Sequence, residues 1–191
     1  MPRQSEFDSA IALDAAMKQF WQHGYCDTSV DDLVKATGVS RYGLYGTFGG
    51  KHELFLKALD NYRDRLVSCQ LERLESSDAG WAEIETYFDG LLELAKTPQG
   101  QAGCFMCNIA TELAPHDAEA ETKVNAHLER FRRVFRNALE NAKRVDNLGV
   151  NVNTFADVLI GVTQGIFVLS RSPENLSIIQ NLVKGVVKKP S

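Results

Sequence analysis

The residue types best suited to chemistry lie in two stretches of this sequence. Cys104 and Cys107 form a Cys-x-x-Cys pair. Cys104 follows Gly103 at the expected start of a helix, where the dipole stabilises a thiolate, and Cys107 falls one turn on, placed as a resolving thiol. Two buried cysteines acting as small hydrophobes fit the same spacing. A structural zinc needs at least two more ligands and only His116 and His127 stand nearby, so no metal is expected. In the other stretch, residues 28–51, two short helices are expected on either side of Thr37-Gly38-Val39, the shape of a helix-turn-helix. The second of them opens with Arg41, whose planar fork suits a guanine edge or a phosphate. A plain helical hairpin inside a bundle has the same spacing. No Ser-His-Asp or paired-carboxylate arrangement is legible, so neither catalytic residues nor a cofactor are expected.

Helices must position these groups, and the chain reads as helices throughout; strand-like alternation is nowhere sustained. Residues 6–23 carry Ile11, Ala12, Ala15, Ala16, Phe20 and Trp21 at helical spacing, and Gly24 ends the run. Ser29, with Asp32 three residues on, is a variant capping box for a helix to residue 37. Ser40 caps the next, which carries Leu44 and Phe48 inward. A longer pattern over residues 51–75 spans roughly 35 Å. Further helices are expected over 81–96, 104–114, 117–147, 153–170 and 173–187. The fold class is therefore all-α, a three-helix N-terminal domain (residues 1–50) and a six-helix body (residues 51–191). Two short helices alone are marginal, so the first helix and the start of the fourth must brace them.

Composition narrows the classes. A chain of 191 residues, 44% hydrophobic and 24% charged, is ordinary for a globular protein. No apolar run approaches the roughly 18–20 residues that span a bilayer. The N-terminus lacks a secretion pattern, so no membrane association, a cytoplasmic location and four free thiols are expected. The formal charge of −4 argues, on its face, against a nucleic-acid partner.

The run Gly24-Tyr25-Cys26-Asp27-Thr28-Ser29-Val30-Asp31-Asp32-Leu33, then Gly38-Val39-Ser40-Arg41-Tyr42-Gly43-Leu44-Tyr45-Gly46-Thr47-Phe48-Gly49-Gly50-Lys51, closely resembles the N-terminal signature of the TetR family of bacterial transcriptional regulators, with no gap needed. The nine-helix layout is similar too. Gly103-Cys104-Phe105-Met106, running into Glu112-Leu113-Ala114-Pro115, looks like the sixth helix of one of its subgroups. The resemblance implies a double-stranded DNA operator as partner and assigns roles. Ser29 and Ser40 lie at helix N-termini that favour phosphate. Arg41 and Tyr42 open the recognition helix, followed by Gly43. Tyr45 matches a tyrosine that bonds the DNA backbone, Thr47 stands where many relatives have a phosphate-binding histidine, and Lys51 meets a phosphate. Gly46 departs from the pattern, because relatives often place an aromatic residue there. Either the backbone approaches the groove closely or the position has simply diverged. Placement then outweighs total charge: Arg41 and Lys51 flank the recognition helix, and Arg3 sits on an N-terminal arm that could reach DNA.

The family's C-terminal half binds small molecules and dimerises. A pocket for an unknown small-molecule effector is therefore expected among helices four to eight. Its candidate lining is Tyr62, Tyr87, Phe88, Cys104, Phe105, Met106, His127, Phe131 and Phe167, although each fits a core position equally well. Gly161 and Gly165, one turn apart, permit close helix approach. With Ile179, Leu182, Val183 and Val186 on the last helix they are the expected homodimer interface, a self-contained monomer core being the alternative. The leading expectation is a ligand-responsive dimeric repressor released from a palindromic operator by a small-molecule effector or by thiol modification. The alternative is a helical thiol-redox enzyme using Cys104 and Cys107.

Overall fold

Apolar residues three and four apart dictate amphipathic helices, and a computed structural model, described here for residues 7–146 and 148–189, consists of them. Among the described residues there is no strand. Helix α1 (Ser9–His23) begins where the Asp8 carboxylate accepts from the amides of Ala10 and Ile11. The expected start at residue 6, the Arg3 arm and the expected end of the seventh helix at residue 147 lie outside the described residues. Next come α2 (Val30–Thr37) and α3 (Arg41–Phe48). Gly38, at φ +69°, makes the left-handed turn between them that other residues resist.

Helix α4 starts at Lys51 and departs from expectation twice. Its first section (Lys51–Tyr62) runs into a π-helical turn (Arg63–Val67) and a last α-turn (Ser68–Leu71), so it stops short of residue 75. The wide turn lies where α4 changes partners. Arg65 on it reaches Asp14 of α1 at 2.6 Å, while Asp60 just before it holds Lys123 at 2.7 Å. The body continues with α5 (Trp81–Ala95), a single turn (Pro98–Gln101), α6 (Phe105–Glu112), α7 (Ala118–Asp146), α8 (Val152–Leu169) and α9 (Leu176–Val187). Cys104 is the N-cap of α6 rather than its first residue. Gly100 is required in the single turn, because a Cβ there would lie 2.0 Å from the Leu94 carbonyl oxygen.

One continuous core joins both parts. Phe55 of α4 meets Phe20 of α1 edge-on at 5.3 Å and Phe105 of α6 at 5.9 Å. In the body, Phe88 of α5 stacks on Phe135 of α7 at 6.0 Å. By length and average composition α8 could cross a membrane, but Asn153, Thr154, Asp157, Thr163 and Gln164 interrupt its apolar run. Its apolar excess has another use. Ala156, Leu159, Ile166 and Phe167 are buried in the bundle, and Asp157 makes a two-pronged ion pair with Arg132 of α7, both bonds 2.8 Å.

Candidate functional site

Helix α3 is anchored from below and bare above. Leu44 and Phe48 are buried, and the Lys57 ammonium donates to the Phe48 carbonyl at 2.9 Å, satisfying the helix C-terminus. The outer face carries Arg41, Tyr42 (87% exposed), Tyr45 (41% exposed), Gly46 and Thr47. Arg41 is tethered to Asp31 of α2 at 3.0 Å, an exposed pair of the kind that exchanges readily for a stronger anion. Lys51, half-buried, lies over the Tyr25 ring at 4.3 Å. The hydroxyls of Ser29 and Ser40 are taken up as caps, Ser29 accepting from the Asp32 amide and Ser40 from that of Gly43. Ser29 returns its proton to the Asp32 carboxylate, which this bond holds below its usual range. Any phosphate contact at these two serines therefore falls to backbone amides. The two glycines of α3 differ. A Cβ on Gly43 would meet Val39 at 2.9 Å and Phe7 at 3.4 Å, so it serves the packing of the turn; one on Gly46 would enter open space.

Helix α6 is tied to the N-terminal three-helix unit at both ends. The Trp21 indole N–H of α1 donates to the Gly103 carbonyl at 3.1 Å, next to Cys104. At the other end Glu112 accepts from the Cys26 amide at 2.7 Å. A third link runs from His52 Nε2 on α4 to Asp117 Oδ2, 2.7 Å apart, before α7. The Asp117 carboxyl is held below its ordinary range by the Ala120 amide first and by His52 second.

The expected pocket residues do come together, as a filled core. Tyr62, Tyr87, Phe88, Cys104, Phe105, Met106, His127, Phe131 and Phe167 are all buried. Around the cysteines this core is polar. Cys107 donates to the Gln164 carboxamide oxygen of α8. The Cys104 thiol is drawn well below the usual thiol range, by Cys107 first and then by His127 and Tyr62, with burial opposing. Cys107 is pushed up correspondingly, by Cys104 first and then by burial. Burial raises the Tyr62 and Tyr87 phenols. His127 is 2% exposed, and neither of its ring nitrogens has a hydrogen-bond partner. Among the described residues no group of three metal-ligating side chains converges.

The expected interface residues divide. Ile179, Val183 and Val186 are spent on the chain's own core, because a 3.6-residue period puts them on the inner stripe of α9. Gly161, Val158, Val168 and Ile178 are exposed, Gly165 and Leu182 half-exposed, and nothing lies within 4 Å of a Cβ placed on either glycine. Sequence reasoning missed Thr163 and Gln164, polar residues in the middle of an apolar helix, which was a readable signal. It also took Trp21 for core alone, and nothing local marks its bond to Gly103.

An exposed recognition helix on a braced three-helix unit, joined by a shared α4 to a larger helical body, defines a helix-turn-helix regulator. The family model for bacterial regulatory proteins of the tetR family matches residues 12–58, and that for a tetracyclin repressor-like C-terminal domain matches residues 80–183. The chain belongs to the tetR family of bacterial transcriptional regulators. It is 32% identical over 143 residues to the uncharacterised HTH-type transcriptional regulator YezE of Bacillus subtilis, spanning 75% of this chain and 74% of that one. It is 38% identical over 133 residues to the HTH-type transcriptional repressor ComR of Escherichia coli, covering 65% of this chain and 60% of ComR. Among solved structures, a cysteine mutant of the TetR-family regulator CifR complexed with 26-bp double-strand operator DNA superposes with TM-score 0.81 at 22% identity, over 95% of this chain and 98% of that one. The reduced form of E. coli NemR superposes with TM-score 0.80 at 16% identity, over 93% of each. Both share the fold.

Proposed function

We propose that this protein is a cytoplasmic homodimeric repressor that binds a palindromic double-stranded DNA operator and is released from it by a small-molecule effector or by modification of Cys104. Residues 1–50 read DNA; residues 51–191 bind the effector and dimerise. The outer face of α3 carries this reading, because Arg41, Tyr42, Tyr45 and Thr47 are presented to solvent while Leu44 and Phe48 fix the helix beneath them. Arg41 and Tyr42 reach base edges, and Tyr45, Thr47, Lys51 and the amides at Ser29 and Ser40 hold phosphates. Gly43 lets α3 sit close to its own turn. The exposed stripe of Val158, Gly161, Val168 and Ile178 supports a second copy across α8 and α9. Such a dimer sets two recognition helices about 34–36 Å apart, one turn of DNA. The repressor role of ComR and the operator complex of CifR agree with this.

Cys104 and Cys107 are assigned regulation rather than turnover, since Cys104, the N-cap of α6, is buried and Cys107, on its first turn, is half-buried. The test is a titration of the purified protein against the palindrome upstream of its own gene, with sedimentation for oligomeric state. Binding by a dimer that weakens steeply with salt is expected. Binding by a monomer, or none at any salt, overturns the reading.

A further inference from the structure

Operator binding leaves unused a cleft of about 450 Å³ at the junction of the N-terminal three-helix unit and the body. Three elements line it. Met17, Lys18 and Trp21 come from α1, Arg65 and Leu66 from the π-helical turn of α4, and Pro98 from the single turn after α5. Its size is that of small-molecule sites, which favour junctions of this kind. Turns of the π type are rare and frequently mark functional positions. No residue of the cleft belongs to the outer face of α3 or to the buried set around Cys104.

The floor and the rim of this cleft differ in character. The Trp21 indole N–H is taken by the Gly103 carbonyl at 3.1 Å, and the Met17 sulfur accepts from the Asn61 amide at 3.4 Å. With these polar handles engaged, Trp21, Met17, Leu66 and Pro98 offer apolar contact. Charge is confined to the rim, where the Asp14 carboxylate lies 2.8 Å from the Lys18 ammonium and 2.6 Å from the Arg65 guanidinium. The other polar lining, Gln22 and Gln99, is neutral, so one carboxylate stands against two cations. Lys18 and Arg65 are mostly exposed and Asp14 is not, so the surplus positive charge is the accessible one.

We propose that this cleft binds a small monoanion with an apolar, ring-bearing body. The body lies on Trp21, Met17 and Leu66, where its burial releases water. The anionic head, a carboxylate or sulfonate, takes the N–H groups of Arg65 and Lys18 that Asp14 leaves open. One surplus cation matches one negative charge. A neutral molecule with the same body forgoes the head contact, and a cation is repelled by the two bases. Because α1 and the connection from α5 to α6 share the cleft, the ligand touches the three-helix unit and the body at once. The inference goes beyond the operator reading and stands whether or not DNA is bound.

Two fluorescent probes with the same apolar rings test the assignment: anilinonaphthalenesulfonate, an anion, and phenylnaphthylamine, its uncharged counterpart. Each is titrated into the full-length protein without DNA, and the dissociation constant is read from probe fluorescence. The anion should bind saturably and about fivefold or more tighter than the amine. Arg65→Gln should weaken the anion about fivefold, and Asp14→Asn, which removes the opposing carboxylate, should tighten it by a similar factor. Neither substitution should move the amine. Both variants lose the same Asp14–Arg65 contact, so a merely structural effect would shift the anion in the same direction in each. Opposite shifts confined to the anion therefore locate the site in this cleft. Equal binding of the two probes, no saturable binding of the anion, or shifts of the same sign in the two variants would each overturn the proposal.

Discussion

The outer face of α3 and the interior of the body are both polar, yet they meet opposite conditions. On α3 the polar groups of Arg41, Tyr42, Tyr45 and Thr47 stand in water, which a polar partner can replace with little penalty. Around His127 the polar atoms are already dry, packed among aromatic rings. The outer face of α3 can therefore exchange its water for another polar partner, whereas the polar groups of the interior have no water to exchange. Between the two regions run Phe55, the Trp21–Gly103 bond and the His52–Asp117 pair, so a change in one can be felt in the other.

Breaking the shared core should erase the contrast altogether. Phe55 is fully buried and touches Phe20, Tyr25 and Phe105, so Phe55→Ala should cost about 3–5 kcal/mol and lower the Tm of the whole chain in one transition. Two separate transitions, only one of them shifted, would show that the regions fold independently. Arg41→Ala acts on one region only. It should weaken operator binding by about 1–3 kcal/mol and leave the Tm unchanged, because its partner among the described residues is the exposed Asp31. An unchanged affinity in a gel-shift titration would remove Arg41 from the reading face.

The two regions were not equally legible in the sequence. The reading unit could be followed almost residue by residue, since its caps, its glycine turn and its apolar anchors are local signals that tertiary packing did not override. In the body, helix positions were readable from periodicity, but the π turn was not, because it answers to Asp14 and Lys123, far away in sequence. The aromatic set around Cys104 was recognisable as a group. Periodicity alone could not separate core from pocket, and the structure packs the set as core. On α9 the same pattern counted Ile179, Val183 and Val186 as surface for a partner, because a broad apolar face does not reveal which stripe the chain keeps for itself.

The links between the regions give smaller effects that sharpen the contrast. Trp21→Phe keeps an aromatic ring beside Tyr62 and removes the bond to Gly103. It should take about 1 kcal/mol from the coupling, so alkylation at Cys104 would shift operator affinity about fivefold less than in the parent protein. Four titrations, each protein with and without iodoacetamide treatment, measure that difference. Identical shifts in both proteins would place the coupling elsewhere.

The least effect is expected at Asp117, where its sign can be worked out. Its folded-state carboxyl lies below the ordinary value of about 3.9, held there by the Ala120 amide first and by His52 second. A depressed carboxylate contributes stability that is complete above the unfolded value and is lost as the pH falls through the folded one. Asp117→Asn keeps a good N-cap for α7 and removes only the charge, so at pH 7 it should cost a few tenths of a kcal/mol up to about 1 kcal/mol. As the pH falls through that depressed folded value the parent carboxylate is itself protonated, and the two stability curves should converge. Denaturant melts at several pH values measure the gap. A gap that persists unchanged into acid would mean that the shape of the side chain, rather than its charge, joins His52 to α7.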